Sequence, residues 1–199
     1  MNKIITISRQ YGSGGREIGA KLAEKFGIPF YDNALIEMAA KESGFSEKYF
    51  EDPEKNASNS FLYSIVRGMQ YQYRNATPWS LEETVYTTQS DIIRKKADEG
   101  PCVIIGRCAD HILSDYENVL KIFVHADLSF RIERAVRIDG VDPKEAKDTI
   151  SKKDKRRMNY YNYHSDTKWG DALNYHLCID SSVCGVDKAV EIIAEYIGE

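Results

Sequence analysis

Three glycines and two arginines crowd one short stretch, Arg9-Gln10-Tyr11-Gly12-Ser13-Gly14-Gly15-Arg16. Glycine reaches positive φ at little steric cost, so successive amides in such a stretch can turn inward as an anion nest. With the Ser13 hydroxyl and the Arg16 guanidinium as further donors, the chemistry on offer is phosphate binding. A tight turn that only packs a helix against a strand would account for Gly12, Gly14 and Gly15, but not for arginines on both sides. Further candidates stand alone. Arg107 precedes Cys108-Ala109-Asp110-His111 and is read as an anion ligand or as an ion pair with Asp110. Asp32 is read as a base, a magnesium organiser or only a helix N-cap. His125, with no acidic neighbour in sequence, is read as structural.

A second concentration of charge lies between Arg131 and Lys168, where eleven Lys or Arg stand against seven Asp or Glu, a local balance of +4 in a chain whose total is −4. Arg131, Arg134 and Arg137 recur every third residue, stepping about 60° around a helix, so they share one broad face. Lys152-Lys153-Asp154-Lys155-Arg156-Arg157 adds five positive charges in six residues, followed by the tyrosines 160, 161 and 163. Such a segment suits a lid that closes over a polyanion. A solvated face with intrahelical ion pairs suits any single lysine in it. The tyrosines could stack a base or merely pack.

The elements that must position these residues alternate between strand and helix. Lys3–Ser8 is a short β-branched run of the kind buried on both faces of a parallel sheet, and it leads straight into the glycine stretch. Arg16–Phe26 carries Ile18, Leu22, Ala23 and Phe26 at helical spacing and stops at Gly27. Ile28–Tyr31, Cys102–Gly106, Leu120–His125 and His176–Asp180 read as further strands. Val186, Val190, Ile193 and Ile197 form the stripe of a closing helix. Between them, a helix is expected through Ile36, Met38 and Ala40, a polar connection over 52–60, and helices over 61–73 and 80–97. The order strand, glycine loop, helix places a phosphate at the helix N-terminus, where the dipole is positive.

The whole chain of 199 residues, 42% hydrophobic and 29% charged, is expected to form a single domain. Its net charge of −4 offers no basic excess of the kind that draws nucleic acid or anionic membranes. With no signal-like N-terminus and no run of roughly 20 apolar residues, the expectation is a cytoplasmic protein. Cys102/Cys108 and Cys178/Cys184 match neither a CxxC motif nor common zinc knuckles, so reduced thiols in or near the core are expected rather than a metal site.

Taken together, Ile5–Ser8 with Gly12–Arg16, Phe30-Tyr31-Asp32, Ile104-Ile105-Gly106-Arg107, Lys121–Val124, the arginine helix, 152–161 and the terminal strand and helix resemble the cytidylate kinase-like family of P-loop proteins. The resemblance implies a three-layer α/β P-loop NTPase fold with a central parallel sheet of about five strands. It also implies a helical monophosphate-binding insertion over 33–97 and a basic lid over 131–168. It further implies transfer of the γ-phosphoryl group of ATP, with Mg2+, to a nucleoside monophosphate. On that resemblance Gly12, Ser13, Gly14, Gly15 and Arg16 hold donor phosphates, Asp32 and Arg107 face the acceptor, and Arg16, Arg131, Arg134 and Arg156 serve the transfer. The chain departs from the pattern in three places: the loop, the third strand and the helix after Asp32. Against G-x-x-x-x-G-K-[ST], Arg9 stands at the first Gly, Gly15 at the Lys and Arg16 at the Ser/Thr, which leaves Arg16 as the cation expected to replace the lysine. Ile105 stands where cytidylate kinase has an aspartate, and Met38 where it has an acceptor-binding arginine. Two other readings remain open: a nucleotide- or phosphate-sensing module that does not catalyse, and a kinase for another phosphorylated or small-molecule acceptor.

Overall fold

The computed structural model describes residues 3–32 and 81–198. The chain divides into two compact units, one formed by Met1–Asp32 with Lys96–Glu199 and the other by Asn33–Lys95. Of the second unit the described part is the beginning of a helix, Leu81–Asp98. The expected helix through Ile36–Ala40, the polar connection over 52–60, the helix over 61–73 and the position of Met38 lie outside the described residues.

The first unit is built on a five-stranded sheet, β1 (Ile4–Arg9), β2 (Phe30–Tyr31), β3 (Val103–Ile105), β4 (Val119–His125) and β5 (Leu177–Asp180), in the order β2-β3-β1-β4-β5 with every pair parallel. The α-helices of the chain, numbered over the described residues, are α1 (Gly15–Phe26), α2 (Leu81–Asp98, mostly in the second unit), α3 (Ala109–Ile112), α4 (Leu128–Arg137), α5 (Ala146–His164) and α6 (Ser181–Ile197). β1 is the central strand, and Ile4 through Ser8 of it are buried. Ile4, Ile5 and Ile7 are fully buried, and Ile7 pairs with Ile105 on one side and Ile122 on the other.

One core cluster joins the sheet residues Ile5, Ile7, Val103, Ile105, Ile122 and Val124 to Ile18 and Leu22 of α1 and Ala189, Val190 and Ile193 of α6. The apolar stripes read from the sequence on these two helices therefore face the sheet, in a three-layer α/β fold. The strand ends differ from expectation by a residue or so: β1 extends through Arg9, β3 spans only Val103–Ile105, and β2 only Phe30–Tyr31. In parallel sheets the C-terminal strand ends mark the ligand crevice. Here those ends deliver Arg9, Asp32, Arg107, His125 and Asp180 to one edge of the unit. Among the described residues no helix is long and apolar enough to cross a membrane.

Truncation of the central strand is expected to be costly. Ile7→Ala should lower unfolding free energy by about 2–5 kcal/mol, read as a lower urea midpoint with an unchanged slope.

Candidate functional site

The turn between β1 and α1 is shaped by Gly12 (φ 79°) and Gly14 (φ 80°), both left-handed, with Gly14 serving as the N-cap of α1. Its hydrogen bonds hold the loop from behind. The Gln10 amide donates to Val124 O (3.0 Å), the Ser13 amide to Gln10 O (3.3 Å) and the Tyr11 amide to the Asp154 carboxylate (2.6 Å). The Ser13 hydroxyl is buried and donates to Gln10 O (2.9 Å), so it braces the loop. The amides of Gly12, Gly14, Gly15 and Arg16 have no hydrogen-bond partner among the described residues. Such amides at a helix N-terminus attract an anion by direct donation and by the helix dipole.

They border a cavity of about 420 Å³ walled by the loop, by Glu17, by Arg134 of α4, by Ile138 and Asp139 after it, and by Arg157 of α5. Four of its lining side chains are arginines: Arg9, Arg16, Arg134 and Arg157. Arg9 is among the largely buried ones. Its side chain is 19% exposed and its nearest carboxylate, Asp32, is 4.0 Å away. Burial, with Arg157, Arg107 and Arg16 also repelling it and Asp32 opposing them, pushes its pKa down to about 9. Arg9 therefore stays charged at neutral pH in a place short of counter-charge, an arrangement that an added anion would relieve.

Glycine lets this side chain lie where it does. A Cβ on Gly15 would sit 2.7 Å from Arg9 Cβ and 3.1 Å from its Cγ, and one on Gly106 would sit 2.0 Å from Arg9 Nη1. The Arg9 stem thus runs across the start of α1 and its guanidinium ends against the turn after β3. Arg16 behaves differently. Its side chain is 66% exposed and its Nε donates to Asp32 Oδ2 at 2.5 Å.

A family model described as the cytidylate kinase-like family matches residues 4–183. This chain belongs to that family. It is 25% identical over 199 residues to the cytidylate kinase of Methanopyrus kandleri, covering 96% of this chain and 90% of that protein. It is 27% identical over 184 residues to the cytidylate kinase of Pyrococcus horikoshii, covering 90% and 80%. A solved structure of an uncharacterized protein from Eubacterium ventriosum superposes with a TM-score of 0.75 at 31% identity, covering 100% of this chain and 99% of that one. The shikimate kinase of Bacteroides thetaiotaomicron, at a TM-score of 0.56, 14% identity and full coverage of both chains, shares the fold.

For a member of the cytidylate kinase-like family, the basic segment is arranged in an unexpected way. Arg131 Nη1 meets Asp154 Oδ2 at 2.6 Å, so this arginine and the Tyr11 amide share one carboxylate and pin α5 to the loop. Arg134 Nη2 meets Glu17 Oε2 at 2.6 Å at the cavity wall. Arg137 is 64% exposed beside Glu133. All three arginines lie on α4 at the expected spacing, but Arg131 and Arg134 pair with residues of other elements while Arg137 pairs within its own helix. Arg156 is exposed and does not line the cavity, whereas Arg157 lines it and donates from Nη1 to Arg9 O at 3.1 Å. Asp32 and Arg107 also lie outside the cavity lining, but both act electrostatically on Arg9. His125, read as lacking an acidic partner, has Asp180 Oδ2 at 3.8 Å, because β4 and β5 pair His125 with Asp180 in register.

Several supporting residues were not legible in the sequence. Arg107 (φ 57°) and Cys108 (φ 55°) are left-handed directly after Gly106 (φ 69°), a run that costs on the order of 1 kcal/mol or more per non-glycine residue. The fully buried Ser181 donates to Ser13 O (2.6 Å) and approaches His125 O (3.1 Å), joining α6, β4 and the loop. Its signal was Asp180-Ser181-Ser182 at a strand end, and Asp180 does cap α6 by accepting from the Ser182 amide at 3.0 Å. Asp110, expected as a partner of Arg107, is buried and accepts from Tyr161 Oη (2.8 Å) and Ser8 Oγ (3.4 Å). Burial pushes its carboxyl above the usual range against those hydrogen bonds. Cys102 and Cys108 are buried and Cys184 is half-buried, but Cys178 is exposed on the edge strand β5. Among the described residues no group of three or more His, Cys, Asp or Glu is placed to hold a metal ion.

Two tests follow from this geometry. A Cβ on Gly12 would lie 2.6 Å from Arg131 O at a φ unsuited to alanine. Gly12→Ala should therefore cost about 1–3 kcal/mol of stability in a denaturant titration and weaken ATP binding at least tenfold in a calorimetric one. For Asp110 the native state binds its proton more tightly than the unfolded chain does. The stability this contributes is fully present below the unfolded pKa of about 4 and is lost as pH rises through the native value. Urea melts at stepped pH should show that decline in the wild type and a flatter profile in Asp110→Asn.

Proposed function

We propose that this chain transfers the γ-phosphoryl group of ATP to a nucleoside monophosphate. The observation that carries the reading is the set of unpartnered amides at Gly12, Gly14, Gly15 and Arg16, bordering a cavity whose arginines outnumber its carboxylates. In phosphoryl transfer a protein mostly positions groups and stabilises negative charge spread over the phosphoryl oxygens, which is what fixed amides and guanidinium groups supply. The kinase names of the family relatives point to the same chemistry.

In this reading the amides of Gly12, Gly14, Gly15 and Arg16 hold the donor phosphates. Arg134 and Arg157 complete the wall around them, and Asp32 and Arg107, at the ends of β2 and β3, face the acceptor. Arg131 serves indirectly, by holding Asp154 and therefore the Tyr11 amide in place. Arg156, one residue from Arg157, stands at the exposed surface of α5, where a role requires contact with the substrate from outside the cavity.

The residues present fit a magnesium ion that arrives with the nucleotide, since such an ion takes most of its ligands from phosphate and water and needs only one or two carboxylates. Of the two carboxylates that border the cavity Glu17 is held by Arg134 at 2.6 Å, so the exposed Asp139 would hold the ion, directly or through water. The ion would neutralise charge on the phosphate oxygens.

Gly15 and Ile105, at positions where cytidylate kinase has a lysine and an aspartate, favour a second reading as a nucleotide- or phosphate-sensing module without turnover. One assay separates the two. With ATP and magnesium supplied, incubation with each nucleoside monophosphate in turn should give the corresponding diphosphate from at least one acceptor, followed by chromatography. ATP binding without turnover of any acceptor would favour the sensing module or a kinase for a different small molecule.

A further inference from the structure

We propose that the phosphate-loop cation and a glycine have exchanged places in this chain. Arg9, at the first glycine position of G-x-x-x-x-G-K-[ST], carries the charge that a lysine at position 15 would carry, and its guanidinium contacts the terminal phosphates of bound ATP. The inference rests on the phosphoryl-transfer reading of the site and names the residue that makes it workable.

The two positions are coupled by volume. The Cβ of any side chain at position 15 would lie 2.7 Å from Arg9 Cβ and 3.1 Å from Arg9 Cγ, closer than side-chain carbons approach one another. The Arg9 stem therefore occupies the path by which a residue-15 side chain would leave the helix, so a bulky residue at 9 requires glycine at 15. Taken singly, each departure from the motif reads as a loss: a glycine loses its freedom at position 9, and a lysine loses its charge at position 15. Taken together they conserve one glycine, one cation and one filled space. Position 9 carries no demand of its own for glycine, because Arg9 is the last residue of β1 and pairs in register with Val124.

The rest of the environment is adapted to a guanidinium at this point. Gly106 leaves room for Arg9 Nη1, which a Cβ there would approach to 2.0 Å. Arg157 Nη1 donates to the Arg9 carbonyl at 3.1 Å, fixing the backbone from which the side chain springs. Among the described residues the carboxylate that faces Arg9 is Asp32, whose Oδ2 takes Arg16 Nε at 2.5 Å while its Oδ1 stays 4.0 Å from Arg9 Nη2, beyond a direct hydrogen bond, which leaves Arg9 with donors to spare beside the cavity. An arginine has five N–H donors in a planar fork and matches phosphate oxygens well. Arg16, with its side chain 66% exposed and directed to Asp32, is the weaker substitute.

The test is a double-mutant cycle on the full chain, read by calorimetric titration with ATP and with melting temperature measured alongside. Arg9→Gly removes the cation and Gly15→Lys collides with the Arg9 stem, so each single variant should weaken ATP binding at least tenfold. Arg9→Gly combined with Gly15→Lys restores the glycine and the lysine of the ordinary motif, with Arg16 still at its Ser/Thr position, and should bind within about threefold of wild type, a strongly non-additive result. Arg9→Met keeps the stem against Gly15 without the charge. It should lose at least tenfold in ATP affinity while its melting temperature is maintained or raised, which a purely structural role would not produce. The proposal is overturned if the double variant binds as poorly as the two losses combined predict, if Arg9→Met binds ATP like wild type, or if Arg16→Ala costs more than Arg9→Met. Failure of the wild type to bind ATP would overturn the phosphate reading and this inference together. An additive cycle in a protein that does bind ATP would overturn this inference alone.

Discussion

A guanidinium held among other guanidiniums, with one shared carboxylate nearby, is the constraint around which the site is built. Arg9 has its charge largely removed from water and is repelled by Arg157, Arg107 and Arg16. Burying such a charge is unfavourable unless something offsets it. The fold accommodates it by geometry: a strand end that projects it, two glycines that make room for its stem and its fork, and an arginine that holds its carbonyl. An anion in the cavity would relieve the part of that repulsion that remains.

Helix α5 connects this charge cluster to the core. Ala146, Ile150, Asp154, Arg157 and Tyr161 recur at spacings of four, four, three and four, so they share one face. That face is buried at Ala146, Ile150 and Tyr161. Along it, Asp154 takes the Tyr11 amide and Arg131, Arg157 takes the Arg9 carbonyl, and Tyr161 donates to Asp110 behind β1. Lys153, beside this face, lies 3.9 Å from the centre of the Tyr11 ring, a close cation–π contact. The helix thus engages the loop through hydrogen bonds and ion pairs at its middle and through apolar packing at its start. Ile150 there joins Tyr11 and Ala135 in a small cluster of its own.

Much of the architecture was legible because it rests on local chemistry. A β-branched run reads as a buried strand, glycines followed by an amphipathic stretch read as a loop and helix, and Val186, Val190, Ile193 and Ile197 read as a stripe. The inward face of α5 was not legible in the same way, since two of its five positions are charged and hydropathy cannot separate them from a solvated face. The same limit explains Arg156 and Arg157. Adjacent residues in a helix point about 100° apart, so the run of charges does not say which of the two faces the loop, and the packing of Ile150 and Tyr161 sets the phase.

The sequence by itself determined the strand–loop–helix order, the glycine-rich and arginine-flanked make-up of the loop and the gathering of positive charge in one segment, because these depend on residue type and on spacing along the chain. Tertiary structure decided which charges meet. The parallel register of β4 and β5 sets His125 beside Asp180, and the seating of α5 on the loop turns Arg157 inward and Arg156 outward. The absence of a Cβ at Gly15 lets the Arg9 stem pass where a lysine would begin. Each of these is a contact between residues distant in the chain, fixed by packing volume and strand register, and such contacts carry no local signal in the order of amino acids.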